Sequence, residues 1–276
     1  MSGTLYIVAT PIGNLDDFSQ RAKDILTQVT LICAEDTRQS QRLLQYYAIK
    51  TPLLSLHEYN EKQRYPQIIE KLQEGLDIAL ISDAGTPLIS DPGYLLVKMC
   101  QTQKITVSPI PGACAFVSAL SVAGIATDQF RYFGFPPRKN ARKKAFLEIV
   151  EEPMTLVFYE ASHRIQDCLM DMQSVFGAER KVTLCRELTK KYETIYHANL
   201  AELNVILAEQ NYAQKGEFVI IVAGFKVVDD NPINTEIENQ LKRLMQDLPL
   251  KKAAAILADF TGIKKNLLYK KGLSFN

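Results

Sequence analysis

The chain has 276 residues, 47% of them hydrophobic and 23% charged, and 32 basic against 31 acidic side chains give a formal net charge of +1. That length suits one large domain or two modest ones, and the composition excludes a mainly disordered, collagen-like or coiled-coil chain. A charge so near zero excludes a uniformly basic protein, so contact with nucleic acid would have to come from local patches.

The first segment, MSGTLYIVATPIGNLDD, has no basic start and only a short apolar run, so no signal peptide is expected. From there strand and helix patterns alternate. Strands are expected at Leu5–Ala9, Thr30–Ala34, Leu53–Leu56, Asp77–Ser82 and Ile105–Pro109, and helices near Phe18–Gln28, Arg38–Tyr46, Lys62–Glu74, Leu95–Gln101 and Ala113–Ala123. Strands separated by helices read as a parallel α/β layer. The longest nearly apolar stretch, Gly112 to Ala126, contains serines and is too short to cross about 30 Å of hydrocarbon, so no membrane partner is expected. Past Asp128 the texture changes. Strands at Phe130–Phe135, Thr155–Tyr159, Lys181–Glu187, Thr194–Ala198 and Phe218–Ala223 include two nearly adjacent ones, which reads as a mixed sheet with an antiparallel pair. The polar, turn-rich run Lys226–Thr235 reads as a linker. Beyond it three short helices are expected at Glu236–Gln246, Lys251–Phe260 and Lys264–Lys271, with Gly262 and Gly272 at C-cap positions. The expected division is residues 1–123, an N-terminal α/β domain; 124–226, a mixed-sheet α/β domain; and 227–276, linker plus helical extension.

Several chemistries are absent from the motifs. There is no P-loop, no G-x-G-x-x-G after a strand, no G-x-S-x-G and no H-E-x-x-H. Cys33, Cys100, Cys114, Cys168 and Cys185 are odd in number and scattered, with no C-x-x-C pair. They are expected to be reduced thiols of a cytoplasmic protein without a metal site. His163 and His197 read as structural.

What remains is a set of loops, each at the carboxyl end of an expected strand: Thr10-Pro11-Ile12-Gly13-Asn14-Leu15, Glu35-Asp36-Thr37-Arg38, Ser82-Asp83-Ala84-Gly85-Thr86-Pro87 running into Ser90-Asp91-Pro92-Gly93, and Pro109-Ile110-Pro111-Gly112-Ala113. Any one of them could be a plain turn. Together on one sheet edge, two of them bearing carboxylates, they mark a ligand crevice. Downstream lie FYExxHR (Phe158–Arg164), RELTK (Arg186–Lys190) and PLKKAAA (Pro249–Ala255).

In order and over nearly the whole chain, these motifs resemble the ribosomal RNA small subunit methyltransferase I family of the tetrapyrrole methylase superfamily. Two positions depart from the family pattern: Ala113 stands where a second proline is usual, and Pro136 where an aliphatic residue is usual. The resemblance implies an α/β, two-domain tetrapyrrole-methylase-like fold (class III S-adenosylmethionine methyltransferase) with a small C-terminal helical extension. It implies S-adenosylmethionine-dependent 2′-O-methylation of a cytidine in 16S rRNA or the small ribosomal subunit, by a homodimer. Carried over by position, Pro11, Asp83, Ala84, Gly85, Thr86, Pro111, Gly112, Ala113, Phe158, Tyr159, Glu160 and Leu188 would border the cofactor, and Gly216 to Phe218 would close the adenine pocket. Asp83 also has a physical claim of its own, since a strand-end carboxylate suits a ligand that carries a sulfonium and an ammonium.

The acceptor hydroxyl is a poor nucleophile. Glu35, Asp36, Arg38, Glu187 and Lys190 are candidates to deprotonate it or to stabilise developing charge, and the sequence assigns the base to none of them. A salt-bridged loop around Arg38 would explain the first three equally well. For RNA, the segment Arg131–Lys144 carries six basic residues and no acidic one, with Tyr132, Phe133 and Phe135 interleaved. Arg138, Lys139, Arg142, Lys143 and Lys144, together with Arg38 and Lys190, are the phosphate-contact candidates. Phe133 and Phe135 are expected in the core. Lysines 251, 252, 264, 265, 270 and 271 form a weaker second set. A small-molecule methylase of the same superfamily needs no such basic loop, and a non-catalytic RNA-binding assembly factor needs no such crevice.

Overall fold

A computed structural model describes residues 2–210, 214–226 and 233–275. The apolar runs of the first third form one parallel sheet: β1 (Thr4–Val8), β2 (Leu31–Ala34), β3 (Leu53–Ser55), β4 (Ile78–Ile81) and β5 (Thr106–Ile110), in the order β3-β2-β4-β1-β5. The crossovers run through α1 (Gln20–Gln28), α2 (Thr37–Tyr46), α3 (Glu61–Gln73) and α4 (Tyr94–Thr102). Helices cover both faces, so β4 has no polar face and reads as an unbroken IALI. On one side Tyr65, Ile68 and Leu72 of α3 meet Leu96 and Cys100 of α4; on the other Phe18, Ala22 and Leu26 pack with Leu44. β1 and β4 are neighbours although their helices lead to opposite edges of the sheet. Their carboxyl ends therefore open onto the crevice typical of such sheets.

The second sheet contains β6 (Phe130–Tyr132), β7 (Thr155–Ala161), β8 (Lys181–Arg186), β9 (Thr194–Asn199) and β10 (Glu217–Val222), ordered β6-β7-β10-β8-β9. β6 and β7 are parallel; the other pairs are antiparallel, including the β8–β9 hairpin expected from sequence spacing. α6 (Asn140–Leu147), α7 (Ile165–Phe176) and α8 (Leu200–Glu209) accompany this sheet, and α8 is opened by a capping box between Asn199 and Glu202. Phe146, Cys168, Met172 and Leu203 bury one face of the sheet together with Leu156 and Phe158. The other face is covered by α5 (Ala115–Val122). Ala119 and Leu120 pack on Val157, Cys185, Val219 and Ile221, so α5, though grouped with the first layer by sequence, lies on the second sheet.

The chain divides into two compact units, Met1–Phe225 and Lys226–Asn276. Of the expected linker, residues 227–232 lie outside the described residues. The second unit holds α9 (Thr235–Asp247), α10 (Leu250–Thr261) and α11 (Lys265–Leu273) around Leu241, Ala253, Leu257 and Leu268. Gly262 ends α10 at φ 72°, the left-handed conformation that favours glycine at a helix end. Gly272 departs from expectation: it lies inside α11, where a Cβ would fall 2.2 Å from Leu250 Cδ1, so it serves close helix packing rather than termination. Gly272→Ala should destabilise this unit by about 1–3 kcal/mol through overpacking. Thermal melting should show that loss in the helical unit while Met1–Phe225 unfolds as in wild type.

Candidate active site

The loops after β1 and β4 are stitched edge to edge. Thr10 N–H donates to the Gly85 carbonyl at 2.8 Å, and Gly85 N–H returns to the Thr10 carbonyl at 3.0 Å. Thr10 Oγ1 donates to the Ser82 carbonyl at 3.2 Å, and Ser82 Oγ donates to the Gly85 carbonyl at 3.0 Å. Gly85 has φ 84°, so a side chain there would strain the bridge. The β5 loop joins through Thr86 Oγ1, which donates to the Ala113 carbonyl at 3.0 Å. The β2 loop joins through Asp36 N–H, which donates to Asp83 Oδ1 at 3.0 Å. Asp36 in turn caps α2 by accepting the Arg38 N–H at 2.8 Å.

Between this edge and the second sheet lies a cavity of about 440 Å³, a volume suited to a small organic ligand. Its first-sheet wall is Ile12, Glu35, Asp83–Thr86 and Ile89–Asp91. Its second-sheet wall is Tyr159–Ala161, Cys185, Leu188 and Glu217–Val219, with Cys114, Ala115 and Phe135 between. The wall is electrostatically one-sided. Burial raises the Glu35 carboxyl, and the charge of Asp83 adds to this. Burial also raises Asp83, against the hydrogen bond from Asp36 N–H. Asp91 is pushed up to about 6 by burial and then by Glu35 and Asp83, with the Ser82 hydroxyl opposing. Mutually repelling carboxylates of this kind are relieved by a cationic ligand.

On the opposite wall charge is balanced internally. Lys190 Nζ binds Glu187 Oε1 at 2.9 Å and Glu217 Oε2 at 3.0 Å, and Glu187 Oε1 also accepts the Glu217 N–H at 2.9 Å. Desolvation pushes Glu187 up, but the bonds from Lys190 and Glu217 N–H outweigh it and hold the carboxyl below its ordinary range. The turn needs Glu187 at φ 52° and Thr189 at φ 65°. The stem of Lys190 packs on Gly13, where a Cβ would fall 2.3 Å from Lys190 Cγ, so the β1 loop and the β8–β9 turn touch directly. Glu160 is buried and ion-paired to Arg164 Nε at 3.2 Å. Arg164 also donates to the carbonyls of Pro136 (2.5 Å) and Pro137 (3.0 Å), which grips the base of the basic loop.

Of the residues expected at the site, Asp83, Ala84, Gly85, Thr86, Tyr159, Glu160 and Leu188 line this one cavity, as do Glu217 and Phe218. Pro11 lines an adjoining pocket of about 260 Å³ with Ser82 and Lys190. Pro111 and Gly112 are exposed outside the cavity, and Ala113 contributes its carbonyl to Thr86. Phe158 is a correction. Alternation along β7 turns its ring to the far face of the sheet, where it is 2% exposed and stacks on Phe133.

Arg142 is a second correction. It is 5% exposed and bound to Asp171 through Nε at 2.7 Å and Nη2 at 2.5 Å, so it is a buried structural ion pair and no phosphate contact. Lys143 shares Asp171 at 3.4 Å but remains half exposed; Arg38, Arg138, Lys139 and Lys144 are exposed, and Lys190 is committed to its carboxylates. Phe135, expected in the core, is 55% exposed on the cavity wall. The following proline carbonyls are drawn to Arg164, and the ring is left facing outward. Ser90 and Asp91 also line the cavity, though neither is among the expected cofactor contacts; the SDPG turn following SDAGTP is the signal that marks them. Ser90 Oγ meets Tyr132 Oη at 2.6 Å, a second link between the sheets.

A family model described as Tetrapyrrole (Corrin/Porphyrin) Methylases matches residues 4–204, and one described as RsmI C-terminal HTH domain matches residues 231–275. Among solved structures the fold is like that of a diphthine synthase (TM-score 0.62, 11% identity, 80% of this chain and 90% of that one). It is also like a cobalt precorrin-4 methyltransferase (TM-score 0.57, 14% identity, 80% and 94%). The class defined by these strand ends and this cleft is thus the tetrapyrrole-methylase type of methyltransferase, with S-adenosylmethionine as methyl donor. Proteins called Ribosomal RNA small subunit methyltransferase I match at high identity. That of Pseudomonas aeruginosa is 51% identical over 274 residues (99% of this chain, 97% of the relative), and that of Pasteurella multocida 53% identical over 274 residues (99% and 98%). The one from Escherichia coli O157:H7 is 49% identical over 272 residues (98% and 95%). The chain belongs to the ribosomal RNA small subunit methyltransferase I family.

The anionic wall carries a measurable cost. Asp91 has a folded value of about 6 against an ordinary 3.8, so the fold favours its protonated form. That contribution is complete below the ordinary value and is lost as pH rises through about 6. Asp91→Asn should therefore raise the melting temperature near pH 8, with the gain vanishing near pH 4. Saturating S-adenosylmethionine should stabilise the wild type more than the variant. Calorimetric scans across pH with and without cofactor check both.

Proposed function

We propose that the protein transfers a methyl group from S-adenosylmethionine to the ribose 2′-hydroxyl of a cytidine in 16S rRNA of the small ribosomal subunit. The observation that carries the reading is the cavity with a carboxylate-rich wall, adjoined by an exposed cationic loop. Phe135 lines the cavity, and Arg138 and Lys139 follow it in the same loop. A tetrapyrrole-sized substrate would have no use for that loop, whereas phosphates would. The names of the relatives favour the same substrate.

In this reading Asp83, Ala84, Gly85 and Thr86 hold the cofactor from the first sheet, and Tyr159, Glu160 and Leu188 from the second. When bound, S-adenosylmethionine supplies an electrophilic methyl group on a cationic sulfur. Asp83 and Asp91 suit its two positive charges, and the backbone of residues 217–219 and 161 suits a flat adenine. The protein's task is alignment of hydroxyl and methyl, worth up to about 7–11 kcal/mol when the geometry is near attack. Lys139, Lys143 and Lys144 would meet phosphates beside the mouth. A homodimer is part of the proposal, supported by Val117, Val122 and Phe130, which stay exposed around the Phe116–Phe130 contact.

Mass spectrometry of 16S rRNA nucleosides from a deletion strain should show loss of a single 2′-O-methylated cytidine, restored by the wild-type gene. An unchanged profile would overturn the assignment. Replacing Lys139, Lys143 and Lys144 together by Ala should weaken RNA binding and lower the logarithmic salt slope by about 0.7–0.9 for each phosphate that is no longer neutralised. Cofactor affinity, measured by calorimetry, should stay at the wild-type value.

A further inference from the structure

Five carboxylates border the cavity: Glu35, Asp83, Asp91, Glu160 and Glu217. Three are already engaged by the protein. Asp83 takes the Asp36 N–H, Glu217 is bound by Lys190, and Glu160 is bound by Arg164 through Oε1, with Oε2 left open in the interior. Among the described residues Glu35 and Asp91 are the cavity carboxylates that accept no hydrogen bond, and Glu35 is the one of the two that stands at a strand end beside a second open group. The other base candidates are also spent. Asp36 caps α2, Glu187 is bound to Lys190, and Arg38 stands exposed away from the cavity wall.

A second unspent group lies beside it. Glu35 follows β2 and His57 follows β3, and these strands pair with Ala34 opposite Ser55, so the two side chains leave neighbouring strand ends on the ligand edge. The His57 backbone is pinned. Its N–H donates to Asn60 Oδ1 at 2.9 Å, its carbonyl accepts the N–H groups of Asn60 and Glu61, and Asn60 Nδ2 donates to the Ser55 carbonyl at 3.1 Å. Yet its ring Nδ1 is buried with no hydrogen-bond partner. The loop is thus held through its backbone and Asn60, and the ring nitrogen takes no part in holding it. The charged groups acting on Glu35 come from three strand ends: Asp36 beside it, His57 and Glu58 after β3, and Asp83 after β4. Asp91, further along the β4 loop, feels Glu35 in turn. The carboxylates raise Glu35 and His57 lowers it.

We propose that Glu35 is the general base of methyl transfer, taking the proton of the acceptor hydroxyl, and that His57 is a positioning residue that tunes it from the adjoining strand end. This rests on the hydroxyl-methylation reading above. As the hydroxyl oxygen forms its bond to the methyl carbon, its proton moves to a Glu35 carboxylate oxygen. The carbon–sulfur bond breaks with its electron pair left on sulfur, which becomes neutral. The proton then passes from Glu35 to water at the cleft mouth. A carboxyl raised toward neutrality by its surroundings suits this role.

The test is single-turnover methylation of small-subunit RNA from the deletion strain at saturating S-adenosylmethionine, across pH, with cofactor affinity titrated by calorimetry in parallel. Glu35→Gln should lower the rate about 100-fold or more and abolish the acid limb of the profile, with cofactor affinity within about threefold of wild type. Glu35→Asp, which keeps the carboxylate, should recover part of the rate and restore the limb. His57→Gln should move the acid limb to higher pH, because the ring that lowers Glu35 is gone. A Glu35→Gln protein that methylates at the wild-type rate would overturn the assignment. So would one whose cofactor affinity falls as far as its rate, since Glu35 would then be a cofactor ligand. A His57→Gln profile superimposable on wild type removes His57 from the scheme. Wild-type protein that binds cofactor but leaves the RNA unmethylated would overturn the substrate reading instead.

Discussion

The paired hydrogen bonds between Thr10 and Gly85 hold the ligand edge together. β1 and β4 are hydrogen-bonded as strands only as far as Val8 and Ile81, and past that point nothing in a parallel ladder keeps their loops in register. The bridge extends the pairing in antiparallel sense across the loop tips, and Ser82 and Thr10 hydroxyls fasten it from both sides. Thr86 then carries the constraint to the β5 loop and Asp83 to the β2 loop. Four connections that could each wander as a surface loop become one rigid rim. That rigidity lets the chain keep three partly buried carboxylates close together, an arrangement each of them resists.

The two walls of the cleft solve the problem of buried charge in opposite ways. On the second sheet Glu187, Glu217 and Lys190 form a closed set whose members stabilise one another, and Arg164 does the same for Glu160. On the first sheet, among the described residues, Glu35, Asp83 and Asp91 face each other with no lysine or arginine paired to them. Stability is sacrificed on one wall and kept on the other, and the unbalanced wall is the one with room for a positively charged ligand.

Much of this was legible in the residues. The parallel layer showed itself through alternating apolar runs and helical periods, and the strand-end loops through Pro and Gly at positions where a helix or strand would stop. The burial of β4 was visible as a strand without a polar position. Side-chain direction was not legible. A motif such as FYE names three consecutive residues, but a strand sends alternate ones to opposite faces, so Phe158 went to the core while Tyr159 reached the cleft. Arg142 looked like one more charge in a basic run because its partner, Asp171, is distant in sequence and meets it only through packing of α6 on α7. His57 was unremarkable in sequence: its interest lies in a ring nitrogen left open, a property of the folded loop alone. Gly272 looked like a stop signal, and only the approach of Leu250 shows that it is a point of close packing.

The position of α5 has a consequence for how the molecule comes apart. This helix leaves the end of β5 in the first sheet, yet its apolar face is the cover of the second. Melting the first sheet would free the anchor of α5 and strip Val157, Val219 and Ile221 of their shelter, and melting the second would leave Ala119 and Leu120 exposed to water. The cover of the second sheet is thus tethered to the end of a strand of the first, which couples the two layers despite their separate hydrogen-bond networks.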